Sequence, residues 1–334
     1  MRICVFGAGA IGGLLAAKLA RSGEEVAVVA RGANLAAIRE RGLRLVEGGE
    51  EVVTSVQAVE RAADAGPQEV LILGMKAHQL GPAIAEVKAL VGPDTVVVTA
   101  QNGIPWWYFA RHGGPYQGTR LESVDPGGVI AASLDATQVI GSIVYPAAEL
   151  SAPGIVRLVE GNRITLGELD GAETARVQAL AEVLRRAGFK VRVTAEVRGE
   201  LWVKLWGNLT FNPVSALTHA TLAEICGFAP TRALAAAMMR EAQAVAERLG
   251  VRFAVSLERR IAGAEAVGAH KTSMLQDVEA GRPTEVEALL GAVVELGRLT
   301  GAPTPTLEAV YALASLLELR LRASGGRLAL PRDA

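Results

Sequence analysis

"ICVFGAGAIGGLLAAKLA", residues 3–20, decides the fold. A short apolar run of strand type feeds directly into glycines at 7, 9 and 12, and a helical pattern from about Ala10 to Arg21 opens behind them. In a strand, turn and helix unit each glycine has a mechanical reason. Gly7 permits the tight turn, Gly9 lets a pyrophosphate reach the backbone, and Gly12 allows helix and strand to pack closely. Ala8, Ala10 and Ile11 complete the loop, and the helix N-terminus offers its free N–H groups to the phosphates. The expectation is a dinucleotide held by Gly7, Ala8, Gly9, Ala10, Ile11 and Gly12, against the plainer alternative of a structural glycine turn.

Working outward, "EVAVVA", "EVLILG" and "TVVVTAQ" are short, continuously apolar strands separated by helical stretches, the pattern of a parallel sheet covered on both faces. Between 137 and 193, "TQVIGSIVYPA", "GIVRLVE", "RITLGE" and "FKVRVT" read as strands that extend this sheet and add antiparallel members, with a helix at about 173–187. After Glu196 the strand signals stop. Amphipathic helical patterns run over 196–212, 231–249, 284–299 and 305–321. The reading is an α/β Rossmann-type dinucleotide-binding domain over 1–195 and an all-α domain over 196–334. No Pro/Gly-rich linker separates them, so they are expected to enclose a shared cleft. The tail, 323–334, is expected to fray.

Composition narrows the function. The 334 residues carry a formal net charge of −1, which gives no basic field for nucleic acid. No apolar run reaches the length of a membrane span, and the chain enters a strand at once with no leader pattern. Cys4 and Cys226 make no metal-ligand spacing and read as buried apolar residues in a reducing compartment, so a cytoplasmic protein with no metal is expected. A second copy of the chain, as a homodimer, is the one candidate protein partner.

Three strand ends carry polar groups. "EVAVVAR" ends in Ala30 and Arg31 where an NAD site usually places an acid; an arginine there can pair with a 2′-phosphate, so NADP(H) is the expected cofactor, the alternative being a solvated arginine. "LGMKAHQ" puts Lys76 and Gln79 after one strand, and "TAQNG" puts Asn102 after the next. The carboxyl ends of parallel strands are where open sheets bind ligands, so these loops should face the cofactor.

In "KLWGNLTFNP", residues 204–213, helical spacing aligns Lys204, Asn208 and Asn212 in a slowly winding polar stripe, while Leu201, Leu205 and Leu209 make an apolar one, with Pro213 kinking or ending the helix. A lone helix lysine is usually a surface charge. Three polar groups flanked by Trp202, Trp206 and Phe211 fit a cleft-lining face better.

With "GAGAIG", Arg31, "MKAHQ", "QNG", "KLWGNLTFNP" and "TSMLQDVEAGRPTE" appearing in order over nearly its whole length, the chain resembles the ketopantoate reductase (2-dehydropantoate 2-reductase) family. The resemblance implies NADPH-dependent reduction of 2-dehydropantoate to pantoate, in pantothenate and coenzyme A biosynthesis. It implies Lys204 as proton donor, Asn208, Asn212 and Ser273 as substrate contacts, and Asn102 touching both ligands. It also implies Glu285 near the lysine and the nicotinamide ribose, although an acid in the first turn of a helix behind Pro283 suits the helix dipole in any case. "IPWWYF" after Asn102 and the turn-rich segment 112–128 exceed the compact form of the family. Trp106, Trp107 and this segment are expected to form a pocket wall or lid, or else a passive insertion with its aromatics against the sheet. The alternatives are a paralogous reductase of another 2-oxo acid, a 3-hydroxyacid or 6-phosphogluconate type dehydrogenase, and a non-catalytic NADP(H)-binding redox regulator.

Overall fold

In a computed structural model, which describes residues 1–326, the opening apolar run is strand β1 (Arg2–Phe6) and the helix behind the glycines is α1 (Ala10–Arg21). There follow β2 (Glu25–Val29), α2 (Gly32–Arg41), β3 (Leu43–Glu47), β4 (Glu50–Thr54), β5 (Gln57–Val59), β6 (Val70–Leu73), α3 (Ala77–Lys88) and β7 (Val96–Thr99). Next come β8 (Val139–Val144), β9 (Ala147–Ala152), β10 (Ile155–Glu160), β11 (Arg163–Glu168), α4 (Ala175–Arg186) and β12 (Lys190–Val193). The remaining elements are helices: α5 (Val197–Thr218), α6 (Leu222–Gly227), α7 (Ala229–Arg248), α8 (Leu257–Ala266), α9 (Ser273–Glu279), α10 (Ala292–Thr300) and α11 (Pro305–Ala323). Most of the tail for which fraying is expected, 327–334, lies outside the described residues.

The chain divides into two compact units. One comprises residues 1–101, 105–120 and 125–200; the other comprises 102–104, 121–124 and the chain from Leu201 onward. The first is α/β, built on an eight-stranded sheet in the order β12-β11-β8-β7-β6-β1-β2-β5. Strands β5 to β8 pair in parallel, β11 runs antiparallel to β8, and β12 follows β11 in parallel. From Leu201 to Gly326 the described residues form helices and no strand. The α/β and all-helical readings are thus borne out.

One expectation is corrected. "GIVRLVE" does not extend the main sheet; as β10 it joins a second sheet in the order β4-β3-β10-β9. The cause lies in α1, whose Leu14, Leu15, Ala16, Ala17 and Leu19 are buried all round its circumference. A helix with no polar face needs cover on both sides. Leu43, Leu45 and Val156 of the small sheet join the same core. The approach is close enough that a Cβ on Gly13 would stand 2.6 Å from Val156 Cγ2. Lys18, the polar exception on α1, is 7% exposed and pairs with Glu47 at 2.7 Å.

Helix α5 is the other correction. It neither ends at Pro213 nor stops at 212, continuing to Thr218. Val214 and Ala216 beyond the proline are buried, and that packing outweighs the one backbone bond the ring removes. Further on, residues 287–291 form a turn of π-helix ahead of α10.

Candidate active site

At the nucleotide loop the three glycines do different work. Gly7 has φ +101 and a Cβ there would lie 2.9 Å from Met75 N. A Cβ on Gly12 would lie 1.9 Å from the Gly7 carbonyl oxygen, so strand and helix meet only without one. At Gly9 an added Cβ meets nothing within 4 Å: that glycine faces open space, as close approach of a ligand to its backbone requires. Gly9 is also the N-cap of α1, and no side chain caps the helix. Its leading N–H groups are therefore free for an anion. The loop is held by Asn34, whose Nδ2 donates to the Ala8 carbonyl at 2.6 Å and whose Oδ1 accepts from Gly154 N at 2.7 Å. No motif marks Asn34 in the sequence.

The other strand-end residues are placed as follows. Arg31 lies just past β2 as the N-cap residue of α2; its side chain is 64% exposed and Nη2 donates to Glu86 Oε1 at 2.6 Å. Lys76 precedes α3, and Gln79 uses its side-chain oxygen to accept from Lys76 N at 3.1 Å. Gln79 thus has a capping task, which sequence reasoning did not assign to it. Trp107 is 1% exposed and donates from Nε1 to Thr99 Oγ1 at 2.9 Å. Beside it Arg198 donates to the carbonyls of Tyr108, Leu169 and Ala110 at 2.7, 2.6 and 2.7 Å. The expectation of Trp107 as a pocket wall is therefore replaced by the alternative: this aromatic run is packed into the core of the α/β unit. Trp106 is also buried, at 8% exposed, with its Nε1 unpartnered.

Segment 112–128 is pinned at several points. Asp125, fully buried, accepts from the backbone N–H groups of Ile130 and Ala131 at 2.8 and 3.0 Å. Within the helical unit Glu295 accepts from Glu122 N at 2.8 Å, Ser123 N at 2.9 Å and Ser123 Oγ at 2.6 Å.

Asn102 follows β7 along the chain, yet its contacts place it with the helical unit. There Lys204 Nζ donates to Asn102 Oδ1 at 2.7 Å, and Asn102 Nδ2 donates to Glu285 Oε2 at 3.2 Å. One amide thus bonds a cation at its acceptor end and an anion at its donor end, which its two unlike ends allow without a charge of its own. Burial draws the Lys204 ammonium down to about 8, while the Glu285 carboxylate pulls in the opposite direction. Along α5 the polar stripe is the less buried face at Lys204 and Asn208, whereas Trp202, Trp206 and Phe211 are in the core. Among the described residues the Asn208 amide makes no hydrogen bond. Asn212 is 6% exposed and donates to Ser273 Oγ at 3.4 Å, a long contact, with Ser273 exposed at the start of α9.

Two backbone features hold Asn102 in register. Gly103 has φ +86, and a Cβ there would stand 2.5 Å from the Ala288 carbonyl oxygen, which accepts from Ile104 N at 2.8 Å. Ala288 belongs to the π-helical turn, a distortion often found at functional sites. Glu285 sits ahead of that turn, not inside a first helical turn as expected; its carbonyl accepts the opening bond from Leu289 N at 3.1 Å. The preceding residue is fixed by Glu318, 5% exposed on α11, which accepts from Thr284 N and Thr284 Oγ1, both at 2.8 Å. Arg322 Nε donates to the other Glu318 oxygen at 2.6 Å. Among the described residues no group of His, Cys, Asp and Glu could hold a metal ion, and no helix is long and apolar enough to cross a membrane.

Comparison with known proteins adds an independent line. Residues 3–112 match the profile of the Ketopantoate reductase PanE/ApbA family, and residues 196–318 match that of its C-terminal part. The chain is 56% identical over 314 residues to a 2-dehydropantoate 2-reductase of Mesorhizobium japonicum, a span covering 94% of this chain and 96% of that protein. Among solved structures, a Ralstonia solanacearum protein assigned to the ketopantoate reductases superposes with a TM-score of 0.92 at 41% identity, covering 96% of this chain and 98% of that one. A D-mandelate dehydrogenase solved with NADH and anilino(oxo)acetate shares the fold, with a TM-score of 0.83 at 24% identity, covering 96% of this chain and all of that one, 100%.

Proposed function

The chain belongs to the ketopantoate reductase family, and from that premise we propose that it reduces a 2-oxo acid, 2-dehydropantoate, to the 2-hydroxy acid pantoate with NADPH as reductant. The observation that carries the chemistry is the bonded series Lys204, Asn102, Glu285. The open face of Gly9 and the uncapped N-terminus of α1 fit the pyrophosphate of a dinucleotide. Arg31, exposed beyond β2, fits a 2′-phosphate. The fold alone does not select between NADPH and NADH, since it is shared with a dehydrogenase solved with NADH; the side chain at Arg31 is what favours NADPH.

When bound, the reduced nicotinamide supplies hydride to the carbonyl carbon, and negative charge develops on the carbonyl oxygen. Lys204 stabilises that charge and delivers the proton from Nζ, general acid work suited to a pKa near the working pH. With its pKa about 8, Lys204 is mostly protonated at neutral pH and still gives up its proton readily. Asn102 holds the ammonium by its Oδ1, and Glu285 offsets part of the burial that would otherwise discharge it. Asn208, with an unengaged amide on the same helix face, and the pair Asn212 and Ser273 offer donors and acceptors for the substrate's hydroxyl and carboxylate. A cytoplasmic location accords with two free, buried cysteines.

The test is NADPH and NADH oxidation by the purified protein across a panel of 2-oxo acids. A clear preference for 2-dehydropantoate with NADPH supports the reading. Faster turnover of another 2-oxo acid moves the substrate to a paralogous reductase, and binding without turnover of any member points to a redox regulator.

A further inference from the structure

The carboxyl ends of β7, β6, β1 and β2 lie side by side in that order in the α/β unit. The ladder keeps them level: Phe6 is registered with Leu73 and Leu73 with Thr99. Beyond those ends Gly74 N donates to Phe6 O at 2.9 Å and Ala100 N to Leu73 O at 3.0 Å. The glycine loop leaves β1, Arg31 stands past β2, and Gln101 stands past β7. Neighbouring strands are about 4.8 Å apart, so β7 lies about 10 Å from β1 on the side opposite β2. A dinucleotide with its pyrophosphate on the glycine loop and its adenosine end at Arg31 must therefore lead its other half toward β7.

Gln101 is unusual in that position. Its Nε2 is buried with no hydrogen-bond partner, and among the described residues its side chain makes no hydrogen bond at all. Gln68, Gln79 and Gln138 of the same unit each engage a backbone group. A buried, unmade amide donor is costly, and such orphans in native proteins call for an unseen partner.

We propose that Gln101 is a cofactor ligand, its Nε2 donating to an oxygen of the nicotinamide ribonucleotide half. This rests on the nicotinamide reading above, and the test keeps the two separable. Dissociation constants of NADPH and of adenosine 2′,5′-bisphosphate, which carries only the adenosine end, are measured by calorimetry for the full chain and for Gln101→Met. Loss of one hydrogen bond should weaken NADPH roughly three- to tenfold and leave the bisphosphate within about twofold. The Tm of the unliganded variant should not fall, because no bond within the protein is lost, whereas the rise in Tm on adding NADPH should shrink. Gln101→Glu, which keeps the size and replaces the donor with an acceptor, should weaken NADPH further, and it carries the test if the methionine variant does not fold. Unchanged NADPH affinity in the variants, equal losses for both ligands, or a lowered unliganded Tm with NADPH affinity intact overturns the assignment. Failure of the unmodified protein to bind NADPH overturns instead the cofactor reading beneath it.

Discussion

Replacing Glu285 by Gln removes one charge and keeps the geometry, because Asn102 Nδ2, now 3.2 Å from a carboxylate oxygen, can donate equally to an amide oxygen. The consequence falls on Lys204. Its pKa of about 8 is a balance in which burial lowers it and Glu285 raises it. The carboxylate is linked to the ammonium through one amide by bonds of 2.7 and 3.2 Å, and loss of a nearby opposite charge typically moves a pKa by roughly one pH unit or more, about 1.4 kcal/mol per unit. Without that charge the lysine should titrate clearly below its present value of about 8. Only the protonated lysine can give a proton, so activity is lost as pH rises through the lysine's pKa. The assay is kcat/KM for the oxo acid against pH with NADPH saturating, which reports the lysine before the oxo acid binds. The unmodified enzyme should decline above about 8 and the variant from a lower pH, with the two curves converging toward acid pH. An alkaline limb that stays in place or moves upward in Glu285→Gln refutes the reasoning.

Substitutions at Arg31, Lys204 and Glu318 have distinct expected outcomes. Arg31→Ala should weaken NADPH about 10- to 150-fold while sparing NADH, and it should leave stability nearly unchanged because the exposed pair with Glu86 is worth little; equal losses for both cofactors in a binding titration would withdraw the 2′-phosphate role. Lys204→Ala should lower kcat by about 10² to 10⁴ with NADPH affinity largely intact, and turnover at the original rate would remove the lysine from the mechanism. Burial raises the Glu318 pKa, but the bonds from Thr284 and Arg322 outweigh it and leave the carboxyl below its ordinary value. Its stabilisation is therefore present above the unfolded pKa and lost as pH falls from there through the lower folded pKa, so urea unfolding of Glu318→Gln should show a flatter loss of stability on the acid side of the ordinary glutamate pKa; an unchanged acid slope is the contrary result.

What the sequence made legible was whatever rests on local rules. The glycine triplet is a statement about backbone clearance, and the stripe Lys204, Asn208, Asn212 is a statement about helical spacing; both survive any tertiary arrangement. The small sheet was not legible, because β3 and β10 pair across more than a hundred residues and their mixed polar faces carry no sign of the partner. Yet α1, apolar on every side, did announce that something must cover it. Glu318 left a similar trace: it falls on the buried face of α11 with Leu307, Val310, Ala314 and Leu321, where a carboxylate has no place unless it is bonded. Trp107 misled because an aromatic beside a site residue and an aromatic under it look the same in one dimension.

The contacts that make the site are the ones no periodicity could supply. Asn102 is separated by 102 residues from Lys204 and by 183 from Glu285. The Asn102 amide bonds to both charged groups and so joins them in one network, in which burial lowers the Lys204 ammonium and the Glu285 carboxylate raises it, leaving it at about 8. That arrangement depends on holding one amide between two charges, and the chain does so with backbone devices: a left-handed glycine at 103, an opened helical turn at 287–291 and a bond from Ile104 N to the Ala288 carbonyl. The π-helical turn is thus more than an irregularity, since the Ala288 carbonyl that fixes the Asn102 loop belongs to it and Glu285 stands at its entrance.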